Sequence, residues 1–149
     1  MTEIYVDGDA CPVKDEVLRV AARHDLITHL VSNRWLRGAD NPLVRRVVVT
    51  EGFDAADNWI AEHATAGDIV ITADIPLASR CLKNGAAVLG PSGRPFSEAN
   101  IGMALAMREL KSQLREMGEI NDQHGSFSKQ NRSTFLQALE REIQALKRR

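Results

Sequence analysis

The sequence predicts a three-layer α/β domain on a central, mostly parallel five-stranded sheet. Three observations predict it. Short apolar segments alternate with amphipathic segments of about ten residues, the pattern of parallel strands joined by crossover helices. The length of 149 residues, 44% hydrophobic and 26% charged, is that of one ordinary globular domain. Acidic residues recur just after the strand-like segments, where open parallel sheets place their ligands.

A chain of this size buries roughly 68–70% of the surface its unfolded form exposes, enough to fold without disulfides or a metal. Its composition excludes disordered, collagen-like and coiled-coil classes. Cys11 and Cys81 have no CxxC spacing, which excludes a zinc ribbon and leaves reduced thiols as the expectation. No apolar run approaches the roughly 18 residues of a membrane span. Glu3, Asp7 and Asp9 stand where a secretory signal would be basic and then apolar. A cytoplasmic protein without a membrane partner is expected. The net charge of −1 provides no global footprint for nucleic acid, yet residues 1–107 hold 10 Lys/Arg against 14 Asp/Glu and residues 108–149 hold 9 against 6.

Taken in order, Glu3 to Asp7 alternates as a first strand ending at Asp7-Gly8-Asp9, and Pro12 opens a helix to about His24, its missing N–H suiting a first turn. Ile27 to Val31 is a second strand. Residues 33–43 read as a loop, because Gly38 and Asp40-Asn41-Pro42 break any period. Arg45 to Thr50 is a third strand, its run Val47-Val48-Val49 reading as buried on both faces. A helix from Asp54 to about Ala64 carries Ala56, Trp59, Ile60 and His63 on one face. Ile69 to Thr72 is a fourth strand, about Ile75 to Asn84 a helix closed by Gly85, and Ala86 to Leu89 a fifth strand.

Beyond Gly90-Pro91-Ser92-Gly93 the strand signals stop, so the single domain, 1–149, divides into a sheet core with the acidic site, 1–96, and C-terminal helices, 97–149. Ser97 suits the N-cap of a helix to about Met117, with Gly118 as its C-cap. After the polar stretch 119–132, Ser133 is expected to cap a last helix striped by Leu136, Leu139, Ile143 and Leu146 and ending in Lys147-Arg148-Arg149.

The acids carry the chemistry. The first strand ends in Asp7-Gly8-Asp9, the third leads into Glu51, Asp54 and Asp57, and the fourth ends in Thr72-Ala73-Asp74. Carboxylates converging on one crevice repel one another unless a cation compensates. Mg²⁺ or Mn²⁺ suits such oxygen ligands, and two ions about 3.5–4 Å apart serve phosphodiester cleavage. Each acid also has a local reading: Asp54 and Asp74 as N-caps, Asp57 as a partner of the helix dipole, Asp7-Gly8-Asp9 as an Asx turn. Their recurrence on three strand ends favours the site.

Asp57-Asn58-Trp59-Ile60-Ala61, followed by Gly67-Asp68-Ile69-Val70-Ile71-Thr72-Ala73-Asp74-Ile75-Pro76-Leu77-Ala78, resembles the second half of a PIN-type nuclease domain. Asp7-Gly8-Asp9-Ala10-Cys11-Pro12, Asp54-Ala55-Ala56-Asp57, Thr72 to Ala78, Asn100-Ile101 and Arg132-Ser133-Thr134-Phe135 together resemble the bacterial YaiI/YqxD family over nearly the whole chain. The resemblance implies a PIN-like fold and metal-dependent ribonuclease chemistry, with Asp7 as the acid after the first strand, Asp57 as the helical acid and Asp74 as the acid of the Thr-x-Asp motif. The Glu that PIN domains usually place in an intervening helix has no assigned counterpart, and Asp9 or Asp54 stands as its substitute. YaiI-like chains carry Gly-Gly-Pro before the last helix, where this one reads Asp122-Gln123-His124-Gly125-Ser126.

The expected function is hydrolysis of single-stranded RNA by Mg²⁺ or Mn²⁺ on Asp7, Asp9, Asp57 and Asp74, with Asp54 as a further ligand. Thr72, Arg34, Arg80, Asn100, Arg108 and Arg132 are the candidate substrate contacts. Arg34-Trp35-Leu36-Arg37 pairs cations with an aromatic ring, as single-strand binders do, although a Trp packed over the sheet edge reads as well. Arg80, Arg94, Arg108, Arg115, Lys129 and Arg132 form a candidate phosphate rim. Cys11 stands at a helix start, where thiol pKa falls, but without an evident His partner it reads as structural. Cys81 shares an apolar stripe with Leu77, Ala78 and Leu82, and His63 reads as a helix-face residue. Two alternatives stand: a non-catalytic nucleic-acid or partner-binding module of the same fold, and a HAD-like phosphatase with Asp7 as nucleophile, whose lysine and paired late acids are not evident. A homodimer is compatible with the sequence.

Overall fold

Strand β1 (Ile4–Asp7) is central, pairing in parallel with β2 (Thr28–Ser32) on one side and β4 (Ile69–Ile71) on the other. β3 (Val44–Val48) adds to β2 and β5 (Ala87–Leu89) to β4, both parallel, while β6 (Pro95–Phe96) runs antiparallel to β5. The six-stranded order is β3-β2-β1-β4-β5-β6. The chain winds outward from β1 in one direction, returns, and winds outward in the other, so the topological switch point lies between the carboxyl ends of β1 and β4. The computed structural model describes residues 2–8, 11–34, 41–49, 55–116 and 128–148, with backbone alone at 111–116.

Alternation along the strands builds two cores. Ile4, Val6, Leu30, Ile69, Ile71 and Leu89 face one way, against Val17 and Val20 of α1 (Lys14–Arg23) and Phe135, Leu139 and Ile143 of α5 (Lys129–Lys147). Tyr5, Val31, Val70 and Val88 face the other way, against Ile60 of α2 (Ala55–His63) and Leu77, Ala78 and Cys81 of α3 (Ile75–Lys83). α4 (Glu98–Glu116) packs on α3. The three-layer α/β reading holds. His63 stacks on Trp59, ring centroids 3.8 Å apart, and remains on the helix face.

The sheet has a sixth strand where five were expected. β6 is too short to leave a period, and Pro95, which lacks a donor, suits its edge position. The bonds Gly93 N–H to Gly90 O and Gly90 N–H to Arg94 O, both 2.9 Å, reverse the chain into it. β3 corrects a second expectation. It lies at the other edge, none of its residues is buried, and Val48 is 42% exposed. A continuous valine run is buried only where helices cover both faces of the strand, and the edge strand β3 is not covered in that way.

Helix starts also shift. α1 begins at Lys14, after Pro12, and α5 begins at Lys129, capped by Ser128, whose Oγ accepts from Asn131 N–H at 3.1 Å, rather than by Ser133. Ser97 caps α4 as expected: its Oγ accepts from Asn100 N–H at 3.2 Å, and Asn100 Oδ1 accepts from Ser97 N–H at 2.9 Å. Met117, Gly118 and the polar stretch through 127 lie outside the described residues. At the carboxyl end of β1, Arg132 Nη1 donates to Pro12 O at 2.8 Å and Glu16 Oε1 at 2.9 Å. Farther along the same helix pair, His24 Nε2 meets Glu140 Oε2 at 2.5 Å and Nδ1 accepts from Lys147 Nζ at 2.7 Å. No described helix is long and apolar enough to cross a membrane.

Candidate active site at the carboxyl ends of β1 and β4

Asp7 is the last residue of β1, and alternation puts its side chain on the same face as Tyr5, towards α2 and α3. Thr72 directly follows β4. Its buried hydroxyl donates to Asp7 Oδ2 at 2.9 Å and accepts from the Asp74 N–H at 2.9 Å, so one side chain ties two strand ends across the switch point. The hydroxyl has one proton, and Asp7 receives it. Thr72 therefore positions Asp7.

Asp74 is the N-cap of α3, with Oδ1 accepting from Leu77 N–H at 2.9 Å and Pro76 following in the first turn. Its local reading is realised, and it still stands at the same strand end as Asp7. Asp57 lies in the first turn of α2, and its charge reaches Cys81 of α3. Asp7, Asp57 and Asp74 thus belong to one face and one end of the sheet. Among the described residues no group of three or more His, Cys, Asp or Glu is assembled to hold one ion. Asp9 and Asp54 lie outside those residues, as do Glu51 and the Trp35-Leu36-Arg37 part of the expected single-strand motif.

The expected cations divide. Arg80 Nη1 donates to Asn58 Oδ1 at 2.8 Å, bridging α3 to the residue after Asp57. Arg132 is engaged by Glu16, so it tethers α5 to α1. Arg34 is exposed after β2, and Lys129 is exposed at the start of α5. Asn100 spends its amide on the turn into α4, accepting from Ser97 N–H and donating to Pro95 O at 3.1 Å. The side chain of Arg115 is outside the described set. Arg94 and Arg108 line a cavity of about 660 Å³ that also reaches Ala73 and Ile75, the two neighbours of Asp74. Sequence reading missed its apolar walls, Phe96, Met103 and Met107; the signal available was the i, i+4 spacing of the two methionines.

Residues 5–145 match the family model described as Uncharacterized BCR, YaiI/YqxD family. The chain belongs to the YaiI/YqxD family. A UPF0178 protein of Parvibaculum lavamentivorans is 58% identical over 149 residues, covering 100% of this chain and 98% of its own. One from Rhizobium etli is 59% identical over 138 residues, 93% of this chain and 89% of its own, and one from Rhizobium meliloti is 55% identical over 145 residues, 97% and 99% respectively. No solved structure matches. The YaiI/YqxD match takes in Asp7, Asp57, Thr72 and Asp74 together.

Cys11, in the segment that carries the YaiI/YqxD resemblance, is not an activated thiol. Burial, and then the charges of Asp7 and Glu16, push it up to about 11, outweighing a hydrogen bond at Val13 and the charge of Lys14. Burial likewise pushes the Cys81 thiol up to about 11, assisted by Asp57 and opposed by Arg80. Both folded values lie above the ordinary 9.0, so the neutral thiols make no pH-dependent difference below about pH 9, and stability falls between pH 9 and 11 as unfolded thiols ionise first. Iodoacetamide at pH 8 is expected to alkylate the native protein much more slowly than the protein in urea. Equal rates would show that the thiols are not held neutral by the fold.

Proposed function

We propose that this YaiI/YqxD protein hydrolyses RNA phosphodiester bonds with Mg²⁺ or Mn²⁺ at the switch point of its sheet. The observation that carries this reading is the Asp7–Thr72–Asp74 unit, which holds two acids at adjacent strand ends through one buried hydroxyl. Mg²⁺ keeps several waters and is commonly held by one or two carboxylates plus substrate phosphate, and the carboxylates of Asp7 and Asp74 are donors of that chemistry. Asp57 lies towards the same end, and Asp9 and Asp54 are the further ligands that the sequence offers. A divalent ion there supplies Lewis-acid polarisation of the phosphate and an activated water at neutral pH.

The protein's own part is positional. Thr72 fixes the Asp7 carboxylate, as outer partners orient metal-binding groups, and the cap to Leu77 N–H restrains Asp74. Arg80, bonded to Asn58, brings positive charge to the α2 turn that carries Asp57.

Thermal unfolding in Mn²⁺ tests the ion site. At 100 times its Kd, Mn²⁺ is expected to stabilise the fold by about 2.7 kcal/mol, a rise of roughly 5–10 °C for a domain of this size. Asp74→Asn should remove most of the rise without unfolding the protein, because Asn caps a helix about as well as Asp. Equal rises in wild type and in the Asp7→Asn, Asp57→Asn and Asp74→Asn variants would reject the site. An acyl-phosphate or beryllofluoride adduct trapped on Asp7 would replace the nuclease by a phosphatase.

A further inference from the structure

We propose that the groove between the β5–β6 hairpin and α4 seats an unpaired nucleotide of single-stranded RNA beside the acids, its base against Phe96, Met103 and Met107 and its phosphates on Arg94 and Arg108. The proposal rests on the nuclease reading and names the subsite that would present substrate to it.

The groove is built for such an occupant. Its volume of about 660 Å³ is within the range of small-molecule sites. One wall is α4, where Met103 is 74% exposed, Met107 46% and Leu110 47%, residues at i, i+4 and i+7 that form one apolar ridge along the helix. The opposite wall is the hairpin, where Gly90 lets the Phe96 ring lie close: a Cβ at Gly90 would stand 3.5 Å from it. Thioethers and an aromatic ring contact the π-face of any base, which makes the subsite tolerant of sequence.

Charge selects a polyanion over a purely apolar guest. Arg94 and Arg108 are exposed at the groove and, among the described residues, neither guanidinium is paired with a carboxylate, in contrast to Arg132 on Glu16. Guanidinium groups bind phosphate with charge-assisted hydrogen bonds. The groove also leads to the acids, because Ala73 and Ile75 on its lining flank Asp74. A base stacked within a duplex offers no free face, so single strands are preferred.

The experiment measures binding of a fluorescein-labelled single-stranded RNA hexamer by anisotropy, using the full-length Asp7→Asn protein without divalent metal so that nothing is cut. Met103→Asp, at an exposed position that leaves the core untouched, is expected to weaken binding about 2- to 10-fold through the lost thioether contact with the base. Arg94→Ala and Arg108→Ala should each weaken it and flatten the salt dependence by about 0.7 in log–log slope. A blunt duplex of the same sequence should bind more weakly than the single strand. Unchanged affinity and slope in all three variants, or equal affinity for duplex, would overturn the subsite. So would sedimentation as a dimer that Met103→Asp dissociates without altering hexamer affinity, which would assign the ridge to a second copy of the chain. Groove-dependent binding by a wild-type protein that cleaves nothing in Mn²⁺ would count against the nuclease reading alone, and cleavage with groove-independent binding against the subsite alone.

Discussion

Asp7→Asn is expected to abolish measurable RNA cleavage while the protein keeps its fold. The substitution is nearly isosteric, and an amide oxygen can still accept the Thr72 proton that the carboxylate accepts at 2.9 Å. What disappears is the charge, and with it the attraction for a divalent ion. Thr72→Val provides the graded comparison. It leaves the carboxylate but removes the group that orients it, which for outer partners of metal sites costs about 10- to 100-fold in affinity or activity. It also strips the Asp74 N–H of its acceptor, a loss of about 1–3 kcal/mol if that group remains dry. The measurement is cleavage of a single-stranded RNA in Mn²⁺ beside the melting temperature of each variant. Wild-type cleavage by folded Asp7→Asn would remove Asp7 from the site, and loss in Thr72→Val that merely tracked its melting temperature would reduce that residue to a structural one.

Gly93→Ala is expected to destabilise the protein by about 2–5 kcal/mol, although the residue carries no chemistry. Its φ is +89°, where an L side chain strains the backbone by roughly 1–2 kcal/mol. A Cβ there would also stand 2.8 Å from the carbonyl oxygen of Thr134 and 3.0 Å from the Cα of Phe135. Those atoms are the backbone of α5, held on the sheet by buried Phe135 and Leu139, so they cannot swing away as a flexible side chain would. Overpacking of this kind costs typically about 1–3 kcal/mol. Gly67→Ala is the internal control: its φ is +92°, but nothing lies within 4 Å of the added atom. Chemical denaturation should show Gly67→Ala losing only the backbone contribution. Equal losses at the two positions would mean that the contact between the hairpin and α5 carries no strain.

The alternation of strands and helices, the three-layer class, the cap at Ser97 and the acids after β1 and β4 were all legible in the sequence. Each follows from a local rule: period two for a strand, a hydroxyl before a helix, a turn residue after a strand. Asp7 and Asp74 could be named from their positions at strand ends, since parallel sheets direct their ligands there. The bond that joins them through Thr72 spans 65 residues and came only with the order of the strands. The same distinction explains the misread elements. Val47-Val48-Val49 has the composition of a central strand, but burial depends on how fully the helix layers cover a strand's two faces, and β3 lies at the edge with none of its residues buried. Ser128 and Ser133 are equally good caps by residue type, and the helix begins at the earlier one, so that Arg132 lies within its first turns and reaches Glu16. Arg108 and Arg132 are alike in sequence, yet one lines the groove beside Asp74 and the other is held in an ion pair between two helices. Local pattern determines which face of an element is apolar; which element that face meets, and hence which charges remain available to a ligand, is decided by contacts between residues far apart in the chain.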